Sequence, residues 1–160
     1  MKEFTEKAID LIKKREFVSV ATSDLENNPN AAPKFVLKLD RHFIYFVDYI
    51  MGITYRNLVM NPKASLSFYD PETLKGYQLN GPVEIIEKGP VFKKIFGEMN
   101  ARKISLTAKH IIEEIRGESK HESFEMVMPE KFVILKMCIN QVTEINPTGE
   151  VVRKKLEKTC

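Results

Sequence analysis

The chain has 160 residues, 43% of them hydrophobic, which suits one ordinary domain able to bury a core without disulfide staples. Its formal charge of +3 comes from 25 basic and 22 acidic residues spread along the chain, a balance that does not point to a nucleic-acid surface. No run approaches the roughly 20 apolar residues needed to cross a bilayer, and Met1-Lys2-Glu3-Phe4 lacks the apolar core of a signal peptide, so a soluble intracellular protein without membrane contact is expected.

Phe4, Ala8, Leu11 and Ile12 recur at helical spacing. Glu3, Glu6 and Lys7 lie near the start and Lys13, Lys14 and Arg15 near the end, matching the helix dipole of an amphipathic opening helix. Phe17 to Thr22 is short and β-branched, a strand, and Asp24 to Asn30 is a polar, proline-containing turn. Ala32 to Leu39, His42 to Asp48 and Lys63 to Tyr69 are further strands; in Ala64-Ser65-Leu66-Ser67-Phe68 apolar and small polar residues alternate, as on a strand with one face on a core. Tyr77 to Glu87 continues the meander, with a bulge or edge irregularity predicted at Gly81-Pro82. Strands in such close succession point to an antiparallel barrel.

After Gly89-Pro90 the period changes. Val91, Phe92, Ile95, Phe96 and Met99 share one helical face, and Ala108, Ile111, Ile112 and Ile115 another, ended by Gly117. Phe124 to Met128 reads as a short strand or loop, and Lys131 to Ile145 as the final strand before the turn Asn146-Pro147-Thr148-Gly149. The fold class is therefore mainly β with helices (α+β): an antiparallel barrel with an N-terminal helix and a helical insertion, about 90–117, before the last strand. One domain over residues 1–146 precedes a charged tail, 147–160, whose Arg153-Lys154-Lys155 and Lys158, flanked by Glu150 and Glu157, read as a solvated terminus. Cys138, in an apolar run, and Cys160, the last residue, make no disulfide framework and suit a reducing cytoplasm.

Metal and nucleophile motifs fail. His42, His110 and His121 are scattered, with no His-Glu-x-x-His or Cys-x-x-Cys, and His110 with Glu113 and Glu114 reads as a solvated helix face. No Gly-x-Ser-x-Gly elbow and no glycine-rich phosphate loop is present, and no side chain is named as a catalytic acid or base. What remains is Ile44 to Pro62: strand, loop, short helix and an Asn-Pro stop. A helix starting near Gly52-Ile53-Thr54 would present backbone N–H groups, with Thr54, Arg56 and Asn57 on or just inside its first turn, an arrangement suited to a phosphate. Composition alone favours an ordinary connector helix with Tyr55, Leu58 and Val59 facing the core, and Lys34 and Lys38 have a plain alternative as solvent-facing strand residues.

At this segment the sequence resembles the pyridoxamine-phosphate-oxidase-like FMN-binding split barrels. Their typical run is a strand ending near Thr, a loop, Arg-Lys-x-x-Asn-Leu-x-x-x-Pro, and a strand of the Val-Ser-Leu type. The matching residues are Phe46-Val47-Asp48, the loop Tyr49 to Gly52, Ile53-Thr54-Tyr55-Arg56-Asn57-Leu58, Asn61-Pro62 and Lys63-Ala64-Ser65-Leu66-Ser67-Phe68. Upstream, Val18-Ser19-Val20-Ala21-Thr22 and Asn28-Pro29-Asn30-Ala31-Ala32-Pro33 resemble the family's opening strand and turn; downstream, Tyr77-Gln78-Leu79-Asn80-Gly81-Pro82-Val83-Glu84 resembles its next strand. The likeness covers about Phe17 to Glu87, and Phe132 to Ile145 loosely.

The resemblance implies FMN as cofactor. Ala32, Pro33, Lys34 and Phe35 would run along the isoalloxazine ring, Asp48 and Tyr49 would border the ribityl chain, and Thr54, Arg56 and Asn57 would hold the phosphate. It also implies a homodimer with flavin in the cleft between subunits, a small-molecule substrate or electron donor, and oxidoreductase or flavin-reductase-like activity, with the insertion as cap or scaffold. Two departures stand out. Ile53-Thr54 replaces the family's Arg-Lys pair, so that either flavin affinity is reduced or another base such as Lys34 or Arg56 compensates, and the chain has no Trp and no C-terminal Arg-x-His, so vitamin B6 oxidation is not expected. The alternative class is a non-enzymatic module that binds or senses FMN, haem or a deazaflavin.

Overall fold

Alternation at period two builds the barrel wall. In β1 (Phe17–Ser23) it buries Val18, Val20 and Thr22, and in β4 (Lys63–Tyr69) Ala64, Leu66 and Phe68, while their neighbours turn outward. The structure, a computed structural model, describes residues 2–13, 17–39, 42–49, 52–98, 100–101 and 132–156. The remaining elements are α1 (Lys2–Lys13), β2 (Pro29–Leu39), β3 (Phe43–Tyr49), α2 (Ile53–Met60), β5 (Gly76–Ile86), α3 (90–98), β6 (Phe132–Cys138), β7 (Gln141–Ile145) and β8 (Val151–Lys155). Strands run in the order β4-β1-β2-β3-β6-β5, and β5 pairs again with β4, closing a six-stranded antiparallel barrel that β7 and β8 extend. Ala8 and Ile12 of α1 join Val20, Ile44, Phe46, Leu66, Leu79 and Leu135 in its core.

The barrel is split between β2 and β3. Among the described residues they share only the pairs Val36–Phe46, Lys38–Tyr45 and Leu39–Ile44, with an irregularity between Val36 and Lys38. Beyond Val36–Phe46, β2 continues against β1 and β3 against β6.

The bulge or edge irregularity expected at Gly81-Pro82 is a change of partner along one edge. Both residues keep register with β4, while on the other edge Gly76 to Asn80 pair with β7 and Val83 to Ile86 with β6. Pro82, with no N–H to donate, sits where that ladder changes hands. The single final strand expected over 131–145 is likewise two, because those two halves of β5 need different partners. The break at Ile139-Asn140 is fixed by Ile139 N–H donating to His42 O (2.7 Å) and Asn140 N–H to Asn80 O (3.0 Å). Arg153-Lys154-Lys155, expected in a solvated tail, belong to β8, which pairs with β7 from Ile145–Val151 to Gln141–Lys155, while Lys158 lies outside the described residues. Cys138 is disulfide-bonded, which corrects the expectation of a chain without disulfides and removes the cysteine argument for a reducing compartment.

Residues Glu87–Glu130 form one compact unit and the rest of the chain another. In the first, α3 follows Gly89, whose φ of +103° suits glycine, and Phe92 and Phe96 stack one turn apart. The rest of the expected insertion and Phe124 to Met128 lie outside the described residues.

Inside the barrel Tyr77 stacks on Phe68 and faces Glu144, whose carboxylate accepts its hydroxyl and lies 3.3 Å from Lys75 Nζ. Burial first, then the Glu144 charge and hydrogen bond, then Asp70, push the phenol from 10.0 to about 12. Between those values the unfolded chain releases a proton that the folded chain keeps, so stability falls as pH rises through that window. Urea denaturation from pH 9 to 12 should show this loss in wild type and a flatter profile in Tyr77→Phe.

Candidate functional site

The helix of interest, α2, begins at Gly52, whose extended backbone (φ −75°, ψ 158°) provides no side-chain cap, and its first turn holds no acidic residue. Among the described residues its positive end therefore lacks the usual carboxylate or hydroxyl cap. Asn61 anchors the other end, its Nδ2 donating to Ser23 O and Oγ at 3.3 and 3.2 Å.

Two of the three side chains predicted for the phosphate turn inward. Thr54 is 2% exposed and Asn57 7%. Asn30 Nδ2 donates to Thr54 Oγ1 (3.1 Å) and to Thr22 Oγ1 (3.5 Å), and Asn57 Nδ2 donates to Thr22 Oγ1 (3.2 Å). These bonds pin α2 onto β1 and β2 and satisfy groups that would be costly to bury alone. Arg56 is exposed. Leu58 is buried and Tyr55 packs against the core, as expected for a connector, but Val59 is 56% exposed. The inward stripe is 54, 57, 58, so Val59 shares the outer face with Ile53 and Met60.

Along β2 the face carrying Asn30, Ala32, Lys34 and Val36 turns inward and Pro33 outward. Lys34 is thus not a solvent-facing residue: its ammonium lies 2.5 Å from Asp48 Oδ1, with side chains 11% and 0% exposed. The pair crosses the split just beyond the last β2–β3 rung. Phe35 is buried with its ring edge-on to Phe17, centroids 5.4 Å apart. Tyr49 ends β3, and its side chain lies outside the described atoms. The structure thus gathers Lys34 with Asp48, and Thr54 with Asn57, in two polar groups reached from β2.

Thr22 and Asn30 are the contributors that sequence reasoning did not single out. The signal was a threonine occupying an inward position after Val18 and Val20, which demands a buried polar partner. Among the described residues no three His, Cys, Asp or Glu side chains come together to hold a metal, and no helix is long and apolar enough to cross a membrane.

The split barrel and the order of its site elements define a class of protein. The chain belongs to the pyridoxamine 5'-phosphate oxidase family, whose model matches residues 4–145. No curated protein matches the sequence. Among solved structures, the chain is similar to a Clostridium acetobutylicum protein related to general stress protein 26 of B. subtilis, of the pyridoxinephosphate oxidase family (TM-score 0.66, 17% identity, 99% of this chain and 98% of that one). It is also similar to a heme binding protein from Mycobacterium smegmatis (TM-score 0.63, 16% identity, 94% and 57%). A third is a pyridoxamine 5'-phosphate oxidase-related, FMN binding protein from Nostoc punctiforme PCC 73102 (TM-score 0.54, 11% identity, 98% and 94%). At these identities the likeness shows the fold.

Proposed function

We propose that the chain is an FMN-dependent flavoprotein, an oxidoreductase or flavin-reductase-like enzyme acting on a small molecule in the cytoplasm, as a homodimer with flavin at the subunit interface. The observation that carries the reading is the uncapped start of α2 with exposed Arg56, a short way along the chain from the Lys34–Asp48 pair at the split. Family membership and the FMN-binding Nostoc protein support it.

The residues fit a phosphate. Backbone N–H groups at the start of α2 and the Arg56 guanidinium are the donors for it. Thr54 and Asn57 hold the helix in place through Thr22 and Asn30. Ala32, Pro33 and Phe35 border the ring, Asp48 and Tyr49 the chain that leads to the phosphate, and Lys34 offers N–H donors nearby. Flavin, when bound, supplies the electron transfer, and the protein supplies binding, orientation and electrostatics.

Purified protein should show flavin absorption or take up FMN on titration; no bands and no uptake would sink the reading. Arg56→Ala should weaken FMN by about 10- to 100-fold, as expected for one charge-assisted hydrogen bond, and leave riboflavin, which has no phosphate, nearly unaffected. Equal binding of FMN by the variant would move the phosphate elsewhere.

A second reading, a non-enzymatic module that binds or senses FMN, haem or a deazaflavin, is favoured by one feature. Where the family carries Arg-Lys, this chain has Ile53, 52% exposed, and the inward Thr54. Mass spectrometry of the ligand that copurifies identifies haem or a deazaflavin, and rapid anaerobic reduction of bound FMN by NADH or NADPH, followed by transfer to an acceptor, would refute the non-enzymatic reading.

A further inference from the structure

Lys34 is a nearly buried cation at the split. An ammonium carries three N–H groups, and among the described residues its hydrogen bond goes to Asp48 Oδ1, at 11% side-chain exposure. It lies where the β2–β3 ladder has ended, so it bridges two strands that share no backbone bond at that level. A ligand that reaches the split at this level meets a positively charged donor, so the class that fits there bears hydrogen-bond acceptors.

We infer that Lys34 is the ligand-facing cation of the split and that Asp48 positions and partly neutralises it. With flavin bound, the pair sets how strongly the ring prefers its reduced form. This rests on the FMN reading. Taking up two electrons from an added reductant and one proton from solvent leaves the ring with one negative charge. In a partly dried site a cation favours that form and a carboxylate opposes it. Lys34 acts on the ring directly; Asp48 acts through Lys34.

The test is an anaerobic redox titration of the FMN-loaded full chain with dithionite and a reference dye. Asp48→Asn keeps an oxygen acceptor for Lys34 but removes the opposing charge. It should favour reduced over oxidised FMN by about tenfold more than wild type, about 30 mV higher for a two-electron couple. Lys34→Met with Asp48→Asn removes both charges and should fall below wild type. A merely structural pair would lower melting temperature or occupancy in these variants and leave the ratio within about twofold of wild type, which overturns the inference. If Asp48→Asn fails to fold, the double variant, with no buried charge, decides alone by the same criterion. Wild type that takes up no FMN would bring down the cofactor reading and this inference with it; loading with unmoved ratios would bring down the inference only.

Discussion

Gly81→Ala is expected to abolish the cooperative folding of the barrel. A β-carbon there would lie 1.7 Å from the Cys138 carbonyl oxygen and 2.8 Å from its carbon, and both are backbone atoms. That backbone cannot step aside, because the next two residues bond His42 O and Asn80 O. Relief requires β5 to separate from the β6–β7 turn at the point where it exchanges one partner for the other. Ordinary overpacking costs about 1–3 kcal/mol; a backbone collision at a partner switch belongs with the rarer losses above ~4 kcal/mol, against a usual total of about 5–15 kcal/mol. Urea denaturation followed by far-ultraviolet circular dichroism should show no cooperative transition, or a midpoint lowered by more than half. Gly97→Ala is the control: among the described residues nothing lies within 4 Å of a β-carbon there, and the helix α3 should gain up to about 1 kcal/mol. Equal behaviour of the two variants would refute the steric argument.

What sequence could and could not show follows the same physics. β1 and β4 were legible because one buried face against one exposed face prints a period of two. The break at Ile139-Asn140 was not, because in both β6 and β7 neighbouring residues are buried in succession, Val133-Ile134-Leu135 and Val142-Thr143-Glu144, so neither strand prints a period of two whose interruption could be read. β8 was hidden by Arg153 and Lys155, which face outward on the terminal strand of the extension, where charged side chains suit an edge. Gly81 carried a signal, a glycine inside a strand, but a bulge and a close backbone approach give the same letter. At the site, the start and stop of α2 were readable from Gly52 and Asn61-Pro62. Its orientation was not: the partners that draw Thr54 and Asn57 inward, Asn30 and Thr22, are 24 and 35 positions away. Lys34 could be placed on a strand but not matched to Asp48, because that match depends on how the two strands splay at the split.

Lys34→Met alone is expected to cost up to about 3–5 kcal/mol, the usual range for removing one member of a buried ion pair. Asp48 is 0% exposed, so water cannot replace the ammonium without opening the split. Adding Asp48→Asn should recover most of that loss, since a neutral pair of similar volume removes the charge that was left behind. Denaturant midpoints for the two single variants and the double should therefore be strongly non-additive. Additive losses would mean that the two side chains contribute independently. Asp10→Asn gives the contrast: its partner Lys13 is 3.5 Å away, both side chains are more than half exposed, and the change should stay within about 0.5 kcal/mol. The double variant also bears on why the pair exists. If the barrel is as stable without these charges as with them, their place at the split is not accounted for by stability. What then accounts for it is a ligand that needs a cation there, and the redox titration asks that question of the same variant.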